Sequence, residues 1–298
     1  MVELTEEQGL DRLGATAPGM VRLLLGNRLA VAAGVVVLGF LVVAVLAPVL
    51  APYDPNAQHP EAIRVPPFWL AGGSAAHLLG TDSLGRDLLS RIIYGTRVSL
   101  LLGVVVVLLT MVVGTGLGMV AGYFGGALEA ILSRVVDALL AFPFLVFALA
   151  IMAATGPNLT ALVLALAFKG WVDFYRVARG DTLAARQAGY VTAARGLGAG
   201  TPHLLLNEIL PNIVPPIIVL AALRMATIII AEASLSFLGI GVPPSIPAWG
   251  TMVSDGRADM AGAWWIATLP GLAILLLVLA VNLLGEGLRD VLDPRMRQ

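Results

Sequence analysis

The chain of 298 residues is 58% hydrophobic and only 12% charged, with a mean hydropathy of +0.91, which places it among polytopic membrane proteins and excludes an ordinary soluble domain. Its formal net charge of −1 conceals an uneven spread, so the position of each charge matters more than the total. There is no cysteine, which excludes a disulfide framework, a thiolate metal site and a cysteine nucleophile. His59, His77 and His203 are too scattered in sequence to suggest a zinc site.

In chain order, residues 1–28 read as a cytoplasmic amino-terminal segment, polar at first, with an apolar stretch at 20–25 lying along the inner surface. The apolar run 29–50 follows Arg22 and Arg28, exceeds the core of a signal peptide, and reads as a retained first span. Further spans are expected at 99–121, 135–154, 159–175, 213–238 and 264–284, each near the ~20 residues that a bilayer core requires. The expected fold is therefore an all-α integral membrane protein with six transmembrane helices, a core at 99–285 and a cytoplasmic tail at 286–298. With the amino terminus inside, the inner segments hold Arg12, Arg22, Arg28, Arg134, Arg176, Arg179, Arg186, Arg195, Arg289, Arg295 and Arg297. The outer ones hold Arg64, Arg86, Arg91, Arg97 and Arg257, and eleven against five supports both termini lying in the cytoplasm.

The outer region 51–98 begins with too many prolines for regular structure and then turns helical. From Thr81, the residues Leu84, Leu88, Leu89, Ile92 and Ile93 repeat at helical spacing, with Arg86, Asp87, Ser90 and Arg91 on the other face. This predicts an amphipathic helix at the outer surface with Asp87 and Arg91 as an i,i+4 pair.

Ionisable groups inside spans cost roughly 2.5–3.5 kcal/mol each at the bilayer centre, so each needs a compensating reason. Arg224, Glu232, Asp137, Lys169 and Asp173 are the candidates for a translocation path. Local pairing competes with that reading: Arg134 with Asp137 at i,i+3, and Lys169 with Asp173 at i,i+4, while Arg224 and Glu232 could bond a partner chain or the helix backbone broken near Pro215 and Pro216. Lys169 is the sole lysine, and the Ala-Phe before it is not the glycine-rich turn of a P-loop, so no ATP hydrolysis is expected of this chain. No hydrolase motif is present, and energy must come from a partner. An ion-coupled transporter using Asp173, Glu232 and Lys169, or a scaffold that transports nothing, are readings from other classes.

The long polar interruption at 176–212 must lie outside the bilayer. Its ends are held together by the flanking spans, so its middle is expected to fold back as a short helical hairpin. Within it, Thr192-Ala193-Ala194, then Gly198, then Leu210-Pro211 resembles the cytoplasmic Glu-Ala-Ala loop of ABC importer permeases. Thr192 stands where that family usually has glutamate, and Glu208 where isoleucine is usual. The stretch Gly80-Thr81-Asp82-Ser83-Leu84-Gly85-Arg86-Asp87 is similar to the dipeptide and oligopeptide permeases, specifically the C-type subunit. Glu232-Ala233-Ser234-Leu235-Ser236-Phe237-Leu238-Gly239, Pro247-Ala248-Trp249-Gly250 and Asn282-Leu283-Leu284-Gly285-Glu286-Gly287 extend the likeness over most of the chain.

The resemblance implies a type I ABC importer permease fold in the cytoplasmic membrane. A coupling helix would dock into an ATPase groove through Tyr190, Thr192, Ala193, Ala194, Arg195, Gly198 and Pro211. It also implies a second homologous permease, two ATPase subunits that carry ATP and Mg, and an extracytoplasmic binding protein met by Arg86, Arg91 and Trp249. No cofactor resides in this chain on that reading, and nucleic acid is not a partner. The implied cargo is a short peptide, with nickel complexes or glutathione as alternatives.

Overall fold

A computed structural model describes residues 27–156 and 158–292. The expectations for 1–26 and 293–298 lie outside the described residues. Among the described residues the regular elements are helices, joined by a long irregular loop at 51–87, and extended pairing is limited to an isolated bridge between Thr81 and Asp87.

Helix α1, Arg28–Leu50, is started by Asn27, whose side-chain oxygen accepts from the backbone N–H groups of Leu29 and Ala30 at 3.1 and 3.2 Å. Only its small residues Ala30, Ala33, Ala44 and Ala47 are buried, while Leu38, Val45 and Val49 point outward. Small residues toward protein and large apolar ones toward the surroundings is the pattern of a helix bathed in lipid.

Helix α2, Leu88–Phe124, has 37 residues and so runs about 55 Å. The expected surface helix beginning at Thr81 is not a separate element. Residues 81–87 form a tight loop, Asp87 caps α2 by accepting from the Ser90 N–H at 2.8 Å, and the helix then runs unbroken into the membrane. Leu88 is buried in a cluster with Trp249 and Trp265, against which Leu70 and Leu79 of the loop pack, and Ile93 is buried as well, so most of the apolar face found by periodicity is covered by protein while Leu84 stays exposed.

The expected span 135–154 is broken. Helix α3, Gly126–Ala141, and helix α4, Phe144–Thr155, meet at an angle of 87° around Phe142 and Pro143. Pro143 supplies no N–H and pushes Phe142 into extended backbone, which stops α3. Helix α5, Leu159–Ala185, is capped by Asn158 and runs past the expected end at 175 to Ala185. It packs along α2 through Gly114, Gly118 and Gly122, whose missing side chains let the Trp171, Tyr175 and Arg179 backbone approach; a Cβ at any of them would overlap α5.

After the short helix α6, Gly189–Gly196, the chain enters a continuous helical stretch, Thr201–Phe237. Within it a helical turn, Thr201–His203, and a wider π-helical segment, Leu204–Ile209, lead into α7, Leu210–Phe237. The wide turn directly precedes Pro211, whose missing N–H leaves the Asn207 carbonyl without its usual helical donor. Helix α8, Trp249–Gly256, lies on the outer side, and α9, Trp265–Leu292, packs on α1 and α7.

Among the described residues, four helices can cross a membrane by length and composition: Arg28–Leu50, Leu88–Phe124, Thr201–Phe237 and Trp265–Leu292, with the bent pair α3–α4 as a fifth. Helix α5 has 27 residues, about 40 Å, but Lys169, Asp173 and Arg176 interrupt its apolar run. A small buried cluster of Ala121, Val136, Val172 and Tyr175 ties α3 to α2 and α5, and two larger ones hold the remaining helices together. One joins α2, α5 and α7 through Val106, Leu162, Phe174 and Ile213, and the other joins α1, α8 and α9 to α2 through Leu100, Trp249, Trp265 and Leu277.

Candidate functional site

In the loop before α2 and its first turn, the region expected to lie outside, seven polar residues that read as a surface are enclosed. The Asp82 carboxylate accepts from the N–H groups of Leu84 and Arg86 at 2.9 Å each and from Arg86 Nε at 2.6 Å. Arg91 Nε lies 3.7 Å from the same carboxylate, and Arg91 Nη1 donates to the Pro55 carbonyl at 3.3 Å. Asp87 sits 2.9 Å from His77 Nδ1 and accepts from Ser90 Oγ at 2.7 Å. Thr81 Oγ1 accepts from the Val65 N–H at 2.8 Å and donates to the Ala62 carbonyl, while the Thr81 carbonyl accepts from Trp265 Nε1 at 3.2 Å. His59 and His77, distant in sequence, meet at a ring separation of 5.8 Å beside Tyr53.

Two expectations are corrected here. Arg91 pairs with Asp82 rather than with Asp87, because Asp87 is already used as the helix cap and as the partner of His77. Arg86, Arg91 and Trp249 are 8%, 1% and 0% exposed, so they do not offer free side chains to a docking protein. Arg86 reaches outward only to Asp255, at 3.4 Å. Trp249 lies over Gly95 and donates from Nε1 to the Ile92 carbonyl at 3.0 Å, which fixes α8 to the first turns of α2. Asp82 escaped sequence reading because nothing local marks a carboxylate that a loop will bury, and Asp255, which stays exposed, because nothing local marks it as the distant partner of Arg86.

Within the membrane region, Lys169 and Asp173 share a face of α5 but do not pair. Asp173 Oδ1 lies 2.7 Å from Arg224 Nη2 of α7, and Lys169 Nζ donates to the Phe142 carbonyl at 2.8 Å. The i,i+4 spacing places two side chains on one face, and here a better-aimed guanidinium from another helix takes the carboxylate. These three residues line a cavity of about 210 Å³ together with Thr110, Phe144 and Thr227. Glu232, the other candidate on α7, is 1% exposed and accepts from Ser99 Oγ at 3.3 Å and Ser236 Oγ at 2.8 Å. It therefore joins α7 to α2. Arg134 and Asp137 are both exposed on α3 and form no pair with each other, which corrects the expected i,i+3 contact.

In the hairpin expected to lie inside, α6 is a two-turn helix held by one buried residue of its own, Val191, in a cluster with Leu204 and Ile209. Its end is a Schellman motif: the Ala199 N–H donates to the Ala194 carbonyl and the Gly198 N–H to the Arg195 carbonyl, with Gly198 at φ +89. The short helix ended by Gly198 is thus present as expected. Tyr190, Thr192, Ala193 and Arg195 are exposed, Ala194 is half-buried, and Leu197 is 89% exposed. Arg195 lies over the Tyr123 ring at 5.9 Å, so its charge leans on α2 as well as facing outward. Pro211 sits exposed in the first turn of α7, behind the hairpin. Sequence reasoning passed over Leu197, although an apolar residue directly before a helix-ending glycine was legible as a candidate contact.

Residues 114–298 match the family described as binding-protein-dependent transport system inner membrane component, and residues 19–67 match the N-terminal transmembrane domain of oligopeptide transport permease C. The chain is 47% identical over 272 residues to the dipeptide transport system permease protein of Escherichia coli strain K12, covering 91% of each chain. It is 43% identical over 272 residues to the protein of that name from Haemophilus influenzae, covering 91% of this chain and 92% of the relative. It is also 44% identical over 276 residues to the glutathione transport system permease protein of Pectobacterium atrosepticum, covering 93% and 90%. A helical membrane chain with a loop of enclosed charges and an exposed short hairpin thus belongs to the binding-protein-dependent transport system inner membrane components, in the dipeptide and oligopeptide permease branch.

Proposed function

We propose that this chain is the C-type permease subunit of an ATP-driven importer that moves short peptides across the cytoplasmic membrane, with six spans and both termini in the cytoplasm. The six are α1, α2, the bent pair α3–α4, α5, the stretch ending in α7, and α9. The observation that carries the reading is the inner hairpin: a short helix with exposed Tyr190, Ala193 and Leu197, ended by Gly198, between two membrane helices. A surface of that kind favours a groove on a partner, and the relatives named as dipeptide permeases favour an ATPase as that partner. ATP and Mg belong to those two ATPase subunits, and the chain itself has no glycine-rich turn before its sole lysine. A second homologous permease completes the path. The extracytoplasmic binding protein is expected to meet the outer loop through its exposed parts, with Arg86, Arg91 and Trp249 holding that loop in shape.

A second cargo, glutathione, is favoured by the 44% identity to a glutathione permease and by the excess positive charge around the Lys169 cavity. Reconstitution distinguishes them. Copurified with its second permease and two ATPases, and supplied with binding protein and ATP, the chain should support uptake of a labelled dipeptide into proteoliposomes and leave labelled glutathione outside, whereas glutathione uptake in place of dipeptide uptake would establish the second cargo. Copurification without ATPases, or ATP-independent uptake, would overturn the reading.

A further inference from the structure

The cavity between α2, α5 and α7 has unequal charges. Asp173 and Arg224 neutralise each other at 2.7 Å, and Lys169 is left with a neutral acceptor, the Phe142 carbonyl, at 2.8 Å. The two wall threonines use their hydroxyl protons on their own helices: Thr110 Oγ1 donates to the Val106 carbonyl at 2.8 Å and Thr227 Oγ1 to the Leu223 carbonyl at 3.4 Å. The ammonium has three N–H donors and, among the described residues, one hydrogen bond. The cavity therefore holds one uncompensated positive charge with donors to offer, and Phe144 and Leu166 form an apolar wall beside it. Its 210 Å³ is below the ~300–1,000 Å³ of pockets that enclose a whole small ligand, so it suits one end of a molecule.

We propose that this cavity is a carboxylate subsite of the translocation path, in which Lys169 takes the C-terminal carboxylate of a passing short peptide. The proposal rests on the transport reading above. A carboxylate is a stronger acceptor for an ammonium than a neutral carbonyl is, so the exchange favours the ligand. The resting bond has its own role. The Phe142 carbonyl lies at the carboxyl end of α3, where a cation satisfies an unpaired carbonyl and complements the helix dipole. When Lys169 turns to the peptide, it releases the corner where α3 meets α4 at 87°. Asp173 does not take part directly. It holds Arg224, which keeps that guanidinium from competing for the ligand.

Lys169→Met and Lys169→Gln separate the two roles of Lys169, because Gln can still donate to the Phe142 carbonyl while carrying no charge. Each variant is assembled with its full set of partner subunits in proteoliposomes. Uptake of labelled dialanine and of its C-terminal amide is then measured at saturating peptide and binding protein. Both variants should lose about tenfold or more of dialanine uptake relative to wild type, the scale of one charged hydrogen bond, and change amide uptake by less than twofold. Lys169→Arg should retain most of the acid uptake. Equal losses for acid and amide, or acid uptake restored by Gln, would overturn the subsite and leave Lys169 as a cap on α3. ATP-driven uptake of neither peptide by the wild-type assembly would bring down the transport reading itself.

Discussion

The outer loop between α1 and α2 and the inner hairpin between α5 and α7 are both polar insertions between membrane helices, and they use their polar residues in opposite ways. The outer loop turns its charges inward: Asp82 is 2% exposed and Arg91 1%, each with a bonded partner. The hairpin turns its surface outward, with Leu197 at 89% exposure and Val191 as the buried anchor of α6. A region that satisfies its own groups is complete by itself, whereas one that leaves apolar surface beside a charge is shaped for something else. Large apolar residues facing lipid on α1 need no such explanation, but Leu197 follows a polar stretch outside the membrane.

If that contrast is correct, the largest effect comes from breaking the outer network at its centre. Asp82→Ala leaves Arg86 and Arg91 buried without their shared carboxylate, and removing one partner of a buried pair costs about 3–5 kcal/mol. Thermal unfolding in detergent should show the loss, and it should be nearly independent of salt because the charges are enclosed. Loss that appears only at low salt would mean that the network is a surface one after all.

A smaller and differently placed effect is expected at the hairpin. Gly198→Val puts a β-branched side chain at φ +89, a local cost of about 1–3 kcal/mol at a site with little packed on it. Combined with Arg195→Glu, it should leave the amount of membrane-inserted chain unchanged while peptide uptake and peptide-stimulated ATP hydrolysis both collapse. Normal uptake by the double variant would remove the docking role from this hairpin. The smallest effect is expected at Arg64, whose guanidinium lies 2.8 Å from Asp259 but whose side chain is 52% exposed. Arg64→Ala should cost no more than about 1 kcal/mol of thermal stability. A loss as large as that of Asp82→Ala would show that burial is not what separates the two kinds of charge.

The two regions were also unequally legible in the sequence. Helix α1 is read almost to the residue from hydropathy, and the end of α6 from Gly198, because both signals are local. The outer network is not local. Periodicity finds an apolar face on Leu84 to Ile93 but cannot see that residues 51–80 fold over it, so burial reverses the role of Arg86 and Arg91. Lys169 and Asp173 fail for the same reason, since spacing along one helix says nothing about Arg224 on another. Pro143 marked the break between α3 and α4, yet a hydropathy average runs smoothly through it. The glycine stripe at 114, 118 and 122 was equally visible, and its meaning depends on knowing that α5 is the helix beside it.

On this reading the hairpin between α5 and α7 is a docking surface, and the loop between α1 and α2 is a closed one. Because the chain has no cysteine, a single introduced one can be labelled uniquely. Leu197→Cys should react rapidly with a water-soluble maleimide in the permease alone and be protected once the ATPase subunits are bound. Leu78→Cys, exposed on the outer loop, should react alike in both states. Equal labelling of Leu197→Cys with and without the ATPases would contradict the claim.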